Sequence, residues 1–140
     1  MTDYDPQNIF AKMLRGEFGC IKVHETDDYL AIMDVFPQSK GHMLVIPKTA
    51  SRNLLDADPA VVAKVAAALP VLARAVKTAM NADGLRLMQF NEAPAGQTVF
   101  HLHFHLVPIY AGAELARHGQ GKADDSELTV QAKAIAAALG

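Results

Sequence analysis

The run His101-Leu102-His103-Phe104-His105-Leu106 alternates an imidazole with an apolar side chain. Along an extended strand successive side chains point to opposite faces, so His101, His103 and His105 share one face while Leu102, Phe104 and Leu106 share the other. A helix with this spacing would scatter the rings around its circumference, whereas a strand sets neighbouring imidazoles on attachment points roughly 6.8 Å apart. The chain must therefore build a sheet with one chemically active face and a core on its reverse. The polar, glycine-containing stretch from Asn91 to Thr98 leads into this strand and reads as a loop, the kind of segment that carries binding and catalytic groups.

The elements around this strand follow from local signals. Asp5-Pro6 predicts a helix cap and first helical residue, and Ile9, Phe10, Met13 and Leu14 recur on one side until Gly16. Residues 21–25 and 29–35 flank the polar turn Thr26-Asp27-Asp28 and read as a hairpin. A third strand at 43–47 should end at Pro47, which has no N–H to donate to a ladder. Asp58-Pro59 opens the clearest helix, with Val61, Val62, Val65, Leu69, Leu72, Val76 and Met80 as its stripe and a bend expected near residues 66–67 because Pro70 lies inside it. Residues 85–90 and 99–108 read as the last two strands, followed by a glycine-punctuated loop and an alanine-rich helix from Asp125 or Ser126. This order predicts an α+β fold: an antiparallel sheet of about five strands with helices on one face, a long one among them, between a short N-terminal and a C-terminal helix. A length of 140 residues, 51% hydrophobic, fits a single domain over 1–140, with 111–140 as loop plus helical tail.

Charge and cysteine content narrow the function classes. A net charge of −2 offers no broad attraction to nucleic acid or anionic membrane, yet leaves room for a small anionic ligand. The longest apolar stretch, residues 65–73, is bounded by Lys64 and Arg74 and is shorter than the about 20 residues of a membrane span. The single Cys20 cannot form an internal disulfide, and the opening residues lack the basic-then-apolar order of a secretory signal, so a cytoplasmic location is expected.

Three imidazoles on one face suit either a metal or a phosphorus atom. Neutral imidazole is a zinc ligand, and a three-histidine site with an open position would activate water. Rings of alternate residues form a row, however, from which two grip one ion and the third needs a twist, and no carboxylate lies in the run to orient them. No metal ligand is therefore assigned. As a nucleophile, an imidazole with an unperturbed pKa of about 6.5 is mostly unprotonated near neutrality, and attack on phosphorus splits one hard displacement into two easier ones. His103 has a histidine on either side to orient its ring and to donate to phosphate oxygens.

The stretch from Gln97 to Val107 resembles the signature of the histidine triad family of nucleotide hydrolases and transferases. Ile9-Phe10, Asp34-Val35-Phe36-Pro37-Gln38, Gly41-His42, Leu44-Val45-Ile46-Pro47-Lys48 and Asn91-Glu92 are similar to that family's other landmarks, in the same order. The resemblance implies the histidine triad fold, with His103 as the nucleophile that becomes nucleotidylated, His101 and His105 as flanking members that support its ring and contact phosphate, and His42 as a further histidine near the site. It implies Asn91, Gln97 and Thr98 around the phosphate and leaving group, Asp34 on the ribose hydroxyls, and Ile9, Phe10, Met13, Ile32, Met33 and Val35 lining the base pocket. It further implies a purine nucleotide substrate, hydrolysis at the α-phosphorus, and a homodimer that extends the sheet. No cofactor is required by the nucleophile, with Mg2+ accompanying a polyphosphate substrate.

Departures from the family pattern bear on substrate. Ala11 and Lys12 stand where some bacterial relatives carry a zinc-binding cysteine pair, and the chain has no tryptophan, unlike the phosphoramidase branch. Its loop and tail look closer to the branch that splits dinucleoside polyphosphates, and both substrate classes stay open. Asp34 also suits a plain turn, Phe10, Met13 and Ile32 suit ordinary core, and Asn91 and Gln97 suit loop-internal bonding. Lys48 and Arg52 are placed to touch a polyphosphate. His24, His118 and Cys20 match nothing, and the stretch from Gly119 to Lys122 lacks the glycine and hydroxyl residues of a phosphate loop. Two rival functions remain: a zinc-dependent hydrolase using the same rings, and a non-catalytic nucleotide sensor.

Overall fold

The apolar segments condense into a five-stranded sheet of order β1-β2-β3-β5-β4, every neighbouring pair antiparallel. In chain order the elements are α1 (Ile9–Leu14), β1 (Lys22–Glu25), β2 (Tyr29–Met33), β3 (Met43–Pro47), α2 (Pro59–Ala79), β4 (Gly84–Met88), β5 (Phe104–Ile109) and α3 (Asp125–Ala138), with single 3-10 turns at Leu54–Asp56 and Ala93–Ala95. This computed structural model describes residues 3–117 and 121–140, so the expectation for His118 and the start of the glycine-rich stretch after it lie outside the described residues.

Alternation along the strands sorts side chains into two cores. Tyr29, Ala31, Met33, Met43, Val45, Leu102, Phe104 and Leu106 meet Val65, Leu69, Leu72 and Val76 of α2 and Leu128, Ala132 and Ile135 of α3. Leu30, Ile32, Leu44 and Ile46 face the other way and pack on Phe10 of α1. The α+β class and antiparallel sheet are as expected, but the helices are divided: α2 and α3 cover one face, and α1 lies with the histidines on the other. In β5, His105 pairs opposite Leu44 of β3, which puts its ring on the α1 side.

The helices follow their caps. Asp58 accepts from the Ala60 N–H at 2.9 Å and Pro59 sits where its missing N–H costs nothing. By length and composition α2 could cross a membrane, yet its apolar stripe is spent on the sheet. It runs on through Pro70, whose exposed side leaves the carbonyl of Ala66 facing solvent rather than breaking the helix. Helix α1 begins later than Asp5-Pro6 predicts: Asn8 is the cap, accepting from Ala11 N–H at 2.9 Å, while the Asp5 carboxylate takes the Gln7 N–H and closes a preceding turn.

Strand ends also shift for local reasons. β2 stops at Met33 because the Asp34 carboxylate accepts the Phe36 N–H at 2.8 Å and turns the chain. β4 spans Gly84–Met88, two residues short of Phe90, where Gln89 and Asn91 exchange side-chain hydrogen bonds instead. β5 begins at Phe104 rather than at Val99: beyond the Val45–Phe104 pair its partner strand runs out at Pro47, and the Leu102 N–H goes to the Ser51 carbonyl. Gly41 lies at φ +92, and a Cβ there would meet the Met80 side chain and come within 3.2 Å of Pro108, so only glycine delivers the chain into His42 by this route.

Candidate active site

The histidines keep the expected alternation although only His105 lies within the assigned strand. All are buried, His101 and His105 at 1%, His103 at 7% and His42 at 0% exposure. Their hydrogen bonds assign the ring protons. The His103 Nδ1–H donates to the His101 carbonyl at 2.7 Å, because a carbonyl can only accept. That puts the lone pair of His103 on Nε2. Phe10 braces the same ring edge-on, with centroids 4.9 Å apart.

His42 is set in the same way. The Gln38 N–H donates to His42 Nδ1 at 3.0 Å, so the proton of the neutral ring sits on Nε2 and is given to His105 Nδ1, also at 3.0 Å. His105 then carries its proton on Nε2, as a donor suited to a phosphate oxygen. The Asp34 Oδ2 lies 3.4 Å from His42 Nε2 and stabilises the relay. Asp34, His42 and His105 are close enough in space to suggest a metal cage. The donor chemistry does not fit one: with Nδ1 of His42 occupied by a backbone N–H, its Nε2 presents a proton to the cluster rather than a lone pair.

The flanking ring of His101 departs from the expectation of a phosphate contact. Its Nε2–H donates to the Pro47 carbonyl at 2.8 Å, and its Nδ1 receives the Tyr4 hydroxyl at 2.6 Å. Both nitrogens are spent inside the protein, so His101 reaches the nucleophile through its backbone carbonyl alone. Burial holds the ring's pKa below its ordinary 6.5, opposed by the Pro47 hydrogen bond. The unfolded chain therefore binds a proton that the folded ring resists, and this contribution makes stability fall as pH drops below about 6.5. Replacing His101 with Gln is expected to flatten that part of the stability profile, measured by urea unfolding between pH 5 and pH 8.

A cavity of about 330 Å³ opens beside the rings, within the size range of small-molecule sites. Ile9, Phe10, Met13, Ile32, Met33, Asp34, Val35, Thr98, His103 and His105 all border it. The side chain of Met33 belongs mainly to the helix-side core. Phe18, Gly19, Cys20, Ile21, Phe36, Leu44 and Val99 complete the wall; the sequence assigned none of these seven to the pocket. Residues 18–21 form an irregular link between α1 and β1, where no periodicity marks a facing direction. Burial raises the Cys20 thiol above its ordinary pKa, as for an inert wall group. His24 is half-buried against Tyr29, away from this wall.

Asn91 and Gln97 do not border the cavity. The Gln97 Nε2 group donates to the carbonyls of Arg52 and Val99, and its Oε1 accepts from Asn53 Nδ2 and the Glu92 N–H, so its hydrogen-bonding capacity is used up at 3% exposure. Asn91 accepts from the Leu54 N–H and from Gln89. Both amides shape the loop that presents Thr98. The two cations considered for a polyphosphate are also engaged. Arg52 grips Glu92 through two hydrogen bonds of 2.8 and 2.9 Å and stacks on Phe100, and Lys48 pairs with Glu25 at 2.7 Å. Glu25 is held at a pKa of about 2 by Lys22 first and Lys48 second.

Known proteins are similar to this chain in sequence and fold. The HIT domain model matches residues 15–112. The chain is 38% identical over 116 residues to the adenylylsulfatase HINT3 of Arabidopsis thaliana, covering 79% of this chain and 59% of that protein, so it spans less than two thirds of that relative's length. It is 36% identical over 100 residues to the adenosine 5′-monophosphoramidase hnt1 of Schizosaccharomyces pombe, covering 71% of this chain and 72% of that one. A crystal structure of a Hit-like protein involved in cell-cycle regulation from Bartonella henselae superposes with a TM-score of 0.94 at 49% identity, covering 98% and 99% of the two chains. With the alternating histidines beside the cavity, a family model over residues 15–112 and relatives of this identity lead to one assignment: the chain belongs to the histidine triad family.

Proposed function

We propose that the protein hydrolyses purine nucleotides at the α-phosphorus through a covalent nucleotidyl-histidine. The observation that carries this reading is the tautomer of His103, whose Nδ1–H is tied to a carbonyl so that Nε2 carries the lone pair, on a ring that borders the cavity. The Nε2 lone pair forms a bond to phosphorus. The bond from phosphorus to the leaving amine, sulfate or phosphate chain breaks and the leaving group departs with its electron pair, an amine taking a proton from solvent while sulfate leaves as the anion. Water then attacks the same phosphorus, releasing His103 and a nucleoside monophosphate. His105, protonated on Nε2 through the His42 relay, offsets charge on the phosphoryl oxygens.

The base would lie among Ile9, Phe10, Met13, Ile32 and Val35, with the ribose hydroxyls on Asp34, whose Oδ1 serves the turn and whose Oδ2 faces the histidines. The names of the plant and yeast relatives share an adenylyl group and differ in what leaves it, sulfate in one and an amine in the other, which supports the nucleotide half as the recognised part. No metal is required by the nucleophile, and Mg2+ would enter only with a polyphosphate substrate. Pairing of two copies through the edge strand β4, where Leu87 is 53% exposed, would extend the sheet into a homodimer. The single free Cys20 accords with a cytoplasmic location.

The test is a substrate panel of adenosine 5′-phosphoramidate, adenosine 5′-phosphosulfate and diadenosine tri- and tetraphosphate, with acid-labile adduct trapped on His103 and located by mass spectrometry. At least one substrate is expected to give AMP and a stoichiometric adduct. Tight AMP binding without turnover of any of them would replace the hydrolase reading with that of a nucleotide sensor.

A further inference from the structure

We propose that Tyr4, outside the span matched by the family model, is a positioning residue for the nucleophile: its hydroxyl clamps the His101 ring and so fixes the backbone carbonyl that orients His103. The inference rests on the reading of His103 as the attacking group.

Leu102 packs into the helix-side core and Arg52 stacks on Phe100, but the backbone at His101 itself lies beyond the regular ladder. Regular pairing with β3 ends at Phe104, and the Leu102 N–H goes to the Ser51 carbonyl, so the carbonyl of His101 is not aligned by a sheet ladder. The ring anchors it instead. One nitrogen is tied to Pro47 on β3 and the other to Tyr4 from the N-terminal segment. Because the Pro47 oxygen can only accept, His101 Nδ1 must be the lone-pair nitrogen and the Tyr4 O–H must be the donor. Loss of that hydroxyl removes one anchor and also removes a bond that favours the neutral ring.

The groups around this pair are few. His101 faces Tyr4, the Pro47 carbonyl and, through its own carbonyl, His103. Tyr4 is half-buried, its ring meets His101 edge-on at 5.7 Å, and Asn8, Arg15 and Asp5 act on it from the start and end of α1 and the turn before it. All three side chains have partners of their own: Asn8 bonds the Asp5 carbonyl and the Ala11 N–H, Arg15 bonds Glu17 and the Pro6 carbonyl, and Asp5 accepts from the Gln7 N–H.

Tyr4→Phe keeps the ring and deletes only the donor. With adenosine 5′-phosphoramidate as the probe, kcat is expected to fall about fivefold to tenfold, the range one neutral hydrogen bond supplies, with KM within a factor of two. The acid limb of the kcat profile should move to higher pH, and long-range 1H–15N spectra should show the His101 ring taking up a proton at higher pH than in the unaltered protein. The thermal midpoint of Tyr4→Phe checks that the fold is kept, and the spectra read the hydrogen bond independently of turnover. A His101 titration and kcat profile that superimpose on those of the unaltered protein would overturn the proposal, as would a changed titration with unchanged kcat. Absence of turnover in the unaltered protein would instead sink the hydrolase reading, while a shifted His101 titration would still establish the clamp.

Discussion

Replacing His103 with Asn is expected to lower turnover of the best substrate by roughly a thousandfold or more, because no other group at the cavity can take over the covalent step. Asn keeps an N–H in reach of the His101 carbonyl and so preserves that hydrogen bond at position 103. What it loses is the ring nitrogen that attacks, together with part of the edge contact to Phe10. AMP affinity should therefore stay within a few fold, since the cavity wall contributed by Ile9, Met13, Ile32 and Val35 is untouched. Isothermal titration with AMP, single-turnover kinetics and adduct trapping together separate these effects. Retention of more than a tenth of the activity would show that His103 is not the nucleophile.

Replacing Gln97 with Leu should have the largest effect on stability of any single polar change in the loop, a loss of about 3–5 kcal/mol. The side chains are similar in size, so no large cavity is left. Four partners lose their bonds at once in a place with almost no access to water: two carbonyls, one backbone N–H and the amide of Asn53, itself fully buried. The Asn53 amide N–H group would then donate to Glu92 alone, a residue held at a positive φ of +74, while its Oδ1 keeps the Leu55 N–H. For a chain of this length the midpoint of thermal unfolding should fall by roughly 10–15 °C. If Gln97 instead acted by touching the leaving group, the midpoint would hardly move and KM alone would rise, which denaturation and steady-state kinetics distinguish in one preparation.

The contrast between these two positions marks how far the sequence could be read. The face on which His103 lies was legible because it is a matter of spacing: alternate residues of an extended chain share a face whatever the rest of the chain does. The same period placed Leu102, Phe104 and Leu106 in the helix-side core, and the cap Asp58-Pro59 located the start of α2 to the residue. Gln97 was legible only as polar and near the motif. Whether an amide points at a ligand or at four groups of its own loop depends on where Arg52, Asn53 and Val99 end up, and those are brought together by the closure of two loops rather than by any local pattern. Phe18 and Cys20 were passed over for the same reason, lying in a link with no period to read.

The bare sequence determined the antiparallel sheet, the face on which the imidazoles lie and the family signature, because hydrophobic period and chain order act over short range and survive any packing. Only the tertiary structure decided which nitrogen of each ring carries its proton. That depends on hydrogen-bond partners outside the motif, Gln38 in the turn before His42 and, far along the chain, Pro47 and Tyr4 on either side of His101, and no spacing within the motif encodes whether such a partner gives a proton or receives one.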